Sequence, residues 1–231
     1  MRDALAGTRP LVVGAIGDPA VLAETIGPDQ CDLIELRLDV LGTGNGVRDF
    51  AERHASVLPL LLTARHPAEG GHHELDEPAR LGALEAFLDH AAALDLELHT
   101  LAGRPAVWDE AGRRGLLRIA SRHDFERCPA FAELHTSVDA MRDAGADVAK
   151  LAFRLEEPAD LVLIAQLLRE TGPGRLAVMG MGPLAPASRL LAAEAGSLLN
   201  YGYLGSGSTA PGQWPARLLK EALTHCGTAA D

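Results

Sequence analysis

Residues 147–181 read DVAKLAFRLEEPADLVLIAQLLRETGPGRLAVMGM, and this stretch contains one complete strand–helix–strand unit. The apolar run Asp147–Phe153 predicts a buried strand, and Leu176–Met181 predicts a second strand of the same kind. Between them, Pro158 stands where the first turn of a helix tolerates proline, and Gly172 stands where a left-handed C-terminal cap is wanted. Strands joined in this way by a helix are the repeating unit of an α/β fold.

The same alternation of a short apolar run, a loop and a helical segment recurs along the whole chain. Helical spacing is clear in several segments, for example where Leu81, Leu84 and Leu88 form one stripe. The predicted strands, in chain order, are Leu11–Gly17, Leu33–Val40, Leu58–Thr63, Asp95–Leu98, Leu116–Ser121, Asp147–Phe153, Leu176–Met181 and Ser197–Tyr203.

Eight strand–helix pairs in 231 residues predict a closed (β/α)8 TIM barrel, formed as a single domain over residues 1–231. An open doubly wound sheet usually has fewer strands and a glycine-rich phosphate turn after the first one. The first loop here reads Gly17-Asp-Pro-Ala and has no GxGxxG turn. In a barrel, catalytic side chains lie at the C-terminal ends of the strands and in the loops that follow them.

Composition excludes several classes of function. The formal net charge is −11 and the isoelectric point is near 5.2, so nucleic-acid backbones and anionic membranes would be repelled. The longest apolar runs, such as Leu11–Ile16, are far shorter than the roughly 20 residues that a membrane-spanning helix needs. The three cysteines form no CxxC pair. We therefore expect a cytoplasmic protein with reduced thiols that binds neither nucleic acid nor membrane.

Polar residues fall where a barrel would place its active site. Glu35 and Arg37 share strand parity, so both point to one face, and two charges on a buried face need a polar cavity or mutual pairing. The other polar residues at this predicted rim are Arg65 and Glu69 after the third strand, His123 and Asp124 at the end of the fifth, Lys150 on the sixth, Arg189 after the seventh, and Thr209 and Gln213 after the eighth.

Lys150 is the residue whose chemistry is most informative. The chain has two lysines against nineteen arginines, so arginine takes nearly every ordinary cationic role. A guanidinium is essentially always protonated, whereas a desolvated amine can lose its proton and attack a carbonyl carbon. Lys150 is therefore a candidate nucleophile. The alternative is a strand-end lysine whose amine reaches solvent, and Lys220, on a predicted surface helix, shows that lysine is not reserved for chemistry.

His123 is the candidate acid/base, because imidazole both takes and returns a proton near neutral pH. Asp124 could orient its ring or could cap the next turn. The segment His66–Glu74 holds three histidines and two carboxylates, which raises a metal hypothesis. Its spacing matches no recognised ligand pattern, and metal ligands in a barrel normally come from several strands. We therefore expect no metal, and we expect Glu69 to position His123 instead.

Arg189 has two interpretations. It could hold a substrate carboxylate with a bidentate fork, with Thr209 and Gln213 adding neutral hydrogen bonds. It could instead pair with Glu194 on the surface of a helix, and local sequence alone favours this second interpretation.

Taken together, these segments resemble the type I 3-dehydroquinate dehydratases, the Schiff-base-forming dehydroquinases of the shikimate pathway, which leads to the aromatic amino acids. Each motif is weak alone, but their order and their places on the strands are specific. The motifs are Glu-x-Arg-x-Asp at 35–39, Thr-x-Arg with Glu-Gly-Gly at 63–71, Ser-x-His-Asp-Phe at 121–125, Ala-Lys-Leu-Ala at 149–152, Met-x-Met at 179–181, Ser-Arg at 188–189 and Ala-Pro-Gly-Gln at 210–213.

The resemblance implies a role for each candidate residue. Lys150 would be the Schiff-base amine and His123 the acid/base, with Glu69 supporting it. Glu35, Arg37 and Arg65 would contact the substrate hydroxyls or line that side of the pocket. Arg189, Thr209 and Gln213 would hold the substrate carboxylate and close the loop over it. The sequence departs from the family pattern at Cys128, where threonine is usual, around Ala185–Ala187, where a glycine is expected, and in the Gly/Ser segment 205–208, where relatives can carry lysines.

The implied activity is that of a hydro-lyase that converts 3-dehydroquinate to 3-dehydroshikimate and water, with no organic cofactor and no metal. A homodimer is the expected assembly. One alternative is a related Schiff-base lyase, either a class I aldolase or a secondary-metabolism dehydratase, acting on another carboxylated cyclic ketone. The other alternative is a non-catalytic binding protein with the same barrel fold. This alternative predicts that the reactive amine or the acid/base residue is missing.

Overall fold

The computed structural model describes residues 9–72, 75–172, 175–208 and 210–226. Eight parallel strands lie in the order β7-β6-β5-β4-β3-β2-β1-β8, and the Leu198 amide donates to the Leu176 carbonyl oxygen at 2.9 Å where the two ends meet. This nearly closed barrel, with helices between the strands, confirms the predicted (β/α)8 fold. The strands are β1 (Leu11–Ile16), β2 (Leu33–Arg37), β3 (Leu60–Thr63), β4 (Ala93–Glu97), β5 (Leu117–Asp124), β6 (Val148–Arg154), β7 (Leu176–Met181) and β8 (Leu199–Tyr203).

Helices follow the strands and pack on the outside of the sheet. The described α-helices are α1 (Leu38–Leu41), α2 (Asn45–His54), α3 (Glu77–Glu85), α4 (Leu98–Leu101), α5 (Ala106–Arg113), α6 (Phe131–Asp143), α7 (Pro158–Thr171), α8 (Ala185–Glu194) and α9 (Ala216–His225). Short 3-10 turns cover Pro19–Ala23, Pro67–Glu69 and Leu88–His90. In the part of the chain that the structure describes, no helix is both long and apolar enough to cross a membrane.

Local sequence explains where the helices begin and end. The Asp76 side chain accepts a hydrogen bond from the Ala79 amide at 2.9 Å and so caps α3. At the start of α7, Glu157 and Asp160 form a reciprocal capping box with Pro158 in the first turn. Gly172 ends α7 at φ +79°, a conformation that costs glycine little because it has no Cβ.

Two predicted strand ends near the site were wrong. Strand β2 stops at Arg37 rather than Val40, because Leu38–Leu41 turns into the short helix α1. Strand β5 continues to Asp124, three residues beyond the predicted end, because His123 and Asp124 pair with Ala152 and Phe153 of β6. His123 therefore lies on a strand, which fixes its backbone, rather than at the start of a loop.

Two apolar layers stabilise the fold. The larger one lies between the sheet and the helices, and the smaller one fills the inside of the barrel. The inner layer includes Leu33, Leu61, Ala93, Leu117 and Val148, which come early in their strands. Since side chains alternate across a strand, residues two positions further on also point inward. Polar groups occupy several of these later positions, so the candidate site lies above an apolar floor at the C-terminal end of the barrel.

A close approach between β8 and α9 makes Gly202 intolerant of any side chain. A Cβ atom there would lie 2.5 Å from the Ala216 Cα and 2.8 Å from the Ala216 backbone nitrogen. We predict that Gly202→Ala destabilises the protein by about 1–3 kcal/mol, the usual cost of overpacking, measured by urea unfolding. The control is Gly46→Ala in α2, where a Cβ meets nothing within 4 Å and helix propensity favours alanine. Equal unfolding midpoints for the two variants would contradict the prediction.

Candidate active site

The Lys150 amine is buried inside the barrel. The residue is 3% exposed, and its Nζ donates to the Asp95 Oδ2 atom at 2.8 Å. A second carboxylate oxygen, Glu35 Oε1, lies 3.8 Å from Nζ, and the Tyr201 ring centroid lies 3.9 Å from it. The alternative of a strand-end lysine that reaches solvent is therefore wrong. The amine instead lies in a cluster of groups that stabilise positive charge.

Asp95 is the carboxylate shared by two buried cations. Besides Lys150, it pairs with Arg65, whose Nη2 atom lies 3.0 Å from Oδ2, and it accepts the Ser121 hydroxyl at 2.6 Å. Burial alone would raise the pKa of Asp95, but the Arg65 and Lys150 cations hold it well below its usual range. Asp95 is therefore ionised throughout the neutral pH range.

Sequence reasoning missed Asp95 and its neighbour Glu97, although a signal was present. The two acids alternate with Leu94 and Leu96 on β4, which places both on one face of a buried strand. The same alternation identified Glu35 and Arg37 on β2. The strand was predicted to begin at Asp95. A charged side chain at the first position of a strand does not by itself indicate a buried site, so the pattern was missed.

Arg65 connects Asp95 to Glu97. Its Nη1 atom donates to Glu97 Oε1 at 2.9 Å and to the Ser121 hydroxyl at 2.6 Å. On the far side, Arg80 Nη2 donates to Glu97 Oε2 at 2.5 Å. Burial would lower the pKa of Arg65, but Asp95 and Glu97 raise it well above its ordinary value. The guanidinium is therefore a fixed cation next to the candidate nucleophile.

His123 is held by Glu69 at two points. The Glu69 Oε2 atom lies 2.8 Å from His123 Nδ1 and also accepts the His123 amide at 2.9 Å. A carboxylate at this distance favours the tautomer protonated at Nδ1, which leaves Nε2 as the proton acceptor. Burial, followed by the Arg65 and Lys150 cations, holds the pKa of His123 well below its ordinary value. The ring is therefore neutral near pH 7.

Asp124 does not hold the ring of His123. Its Oδ1 atom accepts the backbone amides of Glu126 and Arg127 at 3.1 Å and 3.0 Å. Asp124 therefore closes the turn after β5, which was the second of its two predicted roles.

Arg37 pairs with Asp39 rather than with Glu35. The two bonds, from Nε to Oδ1 and from Nη2 to Oδ2, are 2.9 Å and 2.7 Å long, and Nη2 also donates to the Gly70 carbonyl oxygen at 3.2 Å. Glu35 instead accepts the Thr63 hydroxyl at 2.8 Å. The Arg37 guanidinium thus holds the loop after β3 in place while one edge still lines the pocket.

Arg189 is buried on α8, and the prediction of a surface pair with Glu194 was wrong. It is 2% exposed, and its Nη1 atom donates to the Tyr201 carbonyl oxygen at 2.8 Å. Among the described residues, its Nε atom has no hydrogen-bond partner and the guanidinium has no carboxylate within ion-pair distance. Burial lowers the pKa of Arg189 to about 10. A buried guanidinium of this kind is suited to an incoming anion.

One pocket brings most of these side chains together. It contains about 510 Å³ of space free of protein atoms, its open mouth included. Thr209, which was also predicted to be in the site, lies outside the described residues. The predicted residues that line the pocket are Glu35, Arg37, Arg65, Glu69, His123, Lys150, Arg189 and Gln213. The other lining residues are Gly70, Phe125, Ala152, Met179, Met181, Tyr201 and Ala210, and of these only Tyr201 lies outside the sequence motifs.

The segment His66–Glu74 is only partly described, since His73 and Glu74 lie outside the described residues. Within the described ranges, no group of three or more histidine, cysteine or acidic side chains is placed to hold a metal ion. The His66 Nδ1 atom accepts the Ala68 amide at 3.1 Å, and its ring packs edge-on against His99 with centroids 4.4 Å apart.

Comparisons with known proteins agree on one family. The family described as Type I 3-dehydroquinase matches residues 10–229. A 3-dehydroquinate dehydratase from Methanococcoides burtonii is 32% identical over 93% of this chain and 94% of its own length, and one from Methanosarcina barkeri is 36% identical over 83% and 84%. The crystal structure of 3-dehydroquinate dehydratase from Geobacillus kaustophilus superposes with a TM-score of 0.79 at 26% identity, covering 97% of this chain and 94% of that one.

The depressed pKa of His123 makes a prediction about stability. An unfolded chain takes up a proton at this residue below about pH 6.5, whereas the folded chain keeps the ring neutral. The unfolded state then binds more protons, so the free energy of unfolding falls as the pH drops from 7.5 to 5.5. We predict that His123→Gln loses less stability over this range than the wild type, measured by urea unfolding.

The control for this measurement is His135→Gln on the outside of the barrel, where the side chain is 44% exposed. A His123→Gln variant with the wild-type pH dependence would show that the ring is not held neutral by the fold.

Proposed function

The chain belongs to the type I 3-dehydroquinase family and is therefore a 3-dehydroquinate dehydratase, and we propose that Lys150, His123 and Glu69 carry out its reaction. This hydro-lyase of the shikimate pathway converts 3-dehydroquinate to 3-dehydroshikimate and water through a lysine Schiff base. The observation that carries the assignment is the buried Lys150 amine in the same pocket as a neutral His123. Lys220, the other lysine of the chain, pairs with Asp32 and does not line this pocket.

Lys150 would pass one ammonium proton to the neutral His123 and then attack the C3 ketone of the substrate. The imidazolium would return that proton as water leaves, which gives a protonated imine. The imine cation then takes the place of the ammonium between Asp95 and Glu35. Carboxylates fixed 2.8 Å and 3.8 Å from the ammonium nitrogen are already oriented for that charge, so little reorganisation is needed when the imine forms. This electrostatic match supports Lys150 as the Schiff-base residue.

His123 would remove a proton from C2, next to the imine. The imine accepts the electron pair, and the resulting enamine expels the C1 hydroxyl as the imidazolium returns its proton to that oxygen. Glu69, 2.8 Å from Nδ1, would stabilise the imidazolium between the two transfers. The low pKa of His123 makes the imidazolium a strong acid, which suits the protonation of a departing hydroxyl. Hydrolysis of the imine then frees the product and Lys150.

Arg189 would bind the substrate carboxylate. Its Nε atom has no partner among the described residues, and the residue lines the pocket together with Gln213. A carboxylate arriving there would give the guanidinium an anionic partner that the described residues do not supply, and the planar guanidinium suits a bidentate fork. Gln213 and Thr209 complete this part of the proposed site. Glu35, Arg37 and Arg65 would contact the substrate hydroxyls on the opposite wall.

We also propose a cytoplasmic homodimer. The family resemblance is the main support, and helix α7 adds one exposed apolar side chain, Val162, at 66%. Light scattering on the purified protein would measure the assembly directly, and a mass of one chain would contradict the dimer.

Trapping the imine tests the nucleophile. Reduction with borohydride in the presence of 3-dehydroquinate should attach the reduced ligand to Lys150 and abolish turnover, because the reduced amine cannot be hydrolysed. Peptide mass mapping locates the adduct, and Lys150→Ala should form none. The matched control, Lys220→Ala, should be trapped and inactivated like the wild type. An adduct on Lys220, or turnover without any adduct, would contradict the assignment.

The carboxylate contact makes a separate prediction for Arg189→Lys. The variant keeps the positive charge but loses the planar fork, so kcat/KM should fall by at least about tenfold, the scale of one charge-assisted hydrogen bond. Arg189→Ala should fall further. A substrate analogue without the carboxylate is the control, because it should bind the wild type and Arg189→Ala equally well. If the analogue bound to the wild type as tightly as 3-dehydroquinate does, Arg189 would not be the residue that binds the substrate carboxylate.

A further inference from the structure

Glu69 contacts a second imidazole besides that of His123. The His99 Nδ1 atom lies 3.1 Å from Glu69 Oε1, while both contacts with His123 use the other oxygen, Oε2, at 2.8 Å and 2.9 Å. Among the described residues, His99 is the one side chain within hydrogen-bond distance of Oε1. Each oxygen of this carboxylate is thus held by a different histidine.

His99 is itself held in place from several directions. It lies in α4, directly after the strand that carries Asp95, so its backbone is fixed by the barrel. Its ring packs edge-on against His66 with centroids 4.4 Å apart, and its Nε2 atom lies 3.5 Å from the Thr100 hydroxyl. The side chain is 46% exposed, compared with 11% for Glu69. His99 therefore covers the solvent side of a largely buried carboxylate.

We propose that His99 is a positioning residue that acts on His123 through Glu69. The inference rests on the proposed roles of His123 and Glu69. A carboxylate with one bonded oxygen can rotate about its terminal bond, which would weaken its contact with Nδ1 of His123. Bonding of the second oxygen prevents that rotation, so the ring of His123 keeps the orientation and the tautomer that its chemistry requires.

Electrostatics favour the same arrangement. Burial raises the pKa of Glu69, Arg65 lowers it, Glu97 raises it, and His99 lowers it. His99 thus helps to keep Glu69 ionised, which is the form that stabilises an imidazolium at His123. Without His99, the carboxylate would be both less fixed and easier to protonate.

A purely structural role makes a different prediction. If His99 only packs against His66, phenylalanine should replace it well, because the edge-on contact between rings requires no nitrogen. If His99 instead holds Glu69, the loss of the nitrogen matters. His99→Phe separates the two roles.

The chain offers a matched control in His135 on α6. Its Nδ1 atom lies 3.1 Å from Asp139 Oδ2, and its side chain is 44% exposed. The geometry and exposure are close to those of His99, but the carboxylate partner differs, because Glu69 lines the pocket and Asp139 does not. His135→Phe therefore removes an equivalent exposed pair away from the reaction.

The experiment compares steady-state turnover of 3-dehydroquinate by these variants. His99→Phe should lower kcat roughly 3- to 10-fold, the scale of one ordinary hydrogen bond, because His99 acts on the reaction only through Glu69. KM should stay within about twofold of the wild type. His99→Asn, whose amide nitrogen takes the place of Nδ1 and can still donate to Glu69, should recover most of the loss. His135→Phe should match the wild type. A His99→Phe variant with wild-type kcat, or a His99→Asn variant as slow as His99→Phe, would overturn the proposal.

The same substitution in a Glu69→Gln background tests whether His99 acts through Glu69. There, His99→Phe should change kcat by less than about twofold, because the group that it positions is already altered. An equal loss in both backgrounds would overturn the proposal. A wild-type kcat for Glu69→Gln alone would instead contradict the proposed function, so the two failures are distinguishable.

Discussion

The ion pairs of Asp95 determine the arrangement of the whole site. This carboxylate lies between Lys150 and Arg65, and all three groups are almost completely removed from water. Removal of one member of such a group leaves the remaining buried charges out of balance, and breaking a buried ion pair typically costs about 3–5 kcal/mol. The barrel tolerates a reactive amine in its interior because Asp95 balances its charge, and the same oxygen atom, Oδ2, also contacts Arg65.

The fold could be predicted almost completely from the sequence, and the reasons are local. Apolar runs, caps and breakers such as Pro158 and Gly172 are properties of neighbouring residues, so the amino-acid sequence alone is enough to locate eight strands. Errors arose where tertiary pairing overrides a local pattern. β5 is longer than its apolar run because β6 offers hydrogen bonds to His123 and Asp124, two residues that alone would not predict a strand.

The candidate site was predicted in part. The contacts that were missed join residues that are close in space but distant in the sequence. Lys150 and His123 stand out because of residue type and strand position, and the family motifs add the residues around them. Arg189 could not be placed by sequence reasoning alone, because the face of α8 that meets the pocket is decided by how the helix packs on β7 and β8. The contact of His99 with Glu69 joins helix α4 to the 3-10 turn after β3, thirty residues earlier in the chain, and no sequence periodicity predicts such a pairing.

Three side chains reach the pocket from three different elements of the barrel, and this arrangement determines the stereochemistry of the reaction. On the proposed mechanism, Lys150 on β6 fixes the ketone carbon, His123 on β5 approaches the adjacent carbon, and Arg189 on α8 fixes the carboxylate. Three attachment points that do not lie on one line define a handedness. Of the two hydrogens on the carbon next to the imine, only one then faces the imidazole. The barrel thus selects which hydrogen is removed through the spacing of its strands, and no further contact with that carbon is required.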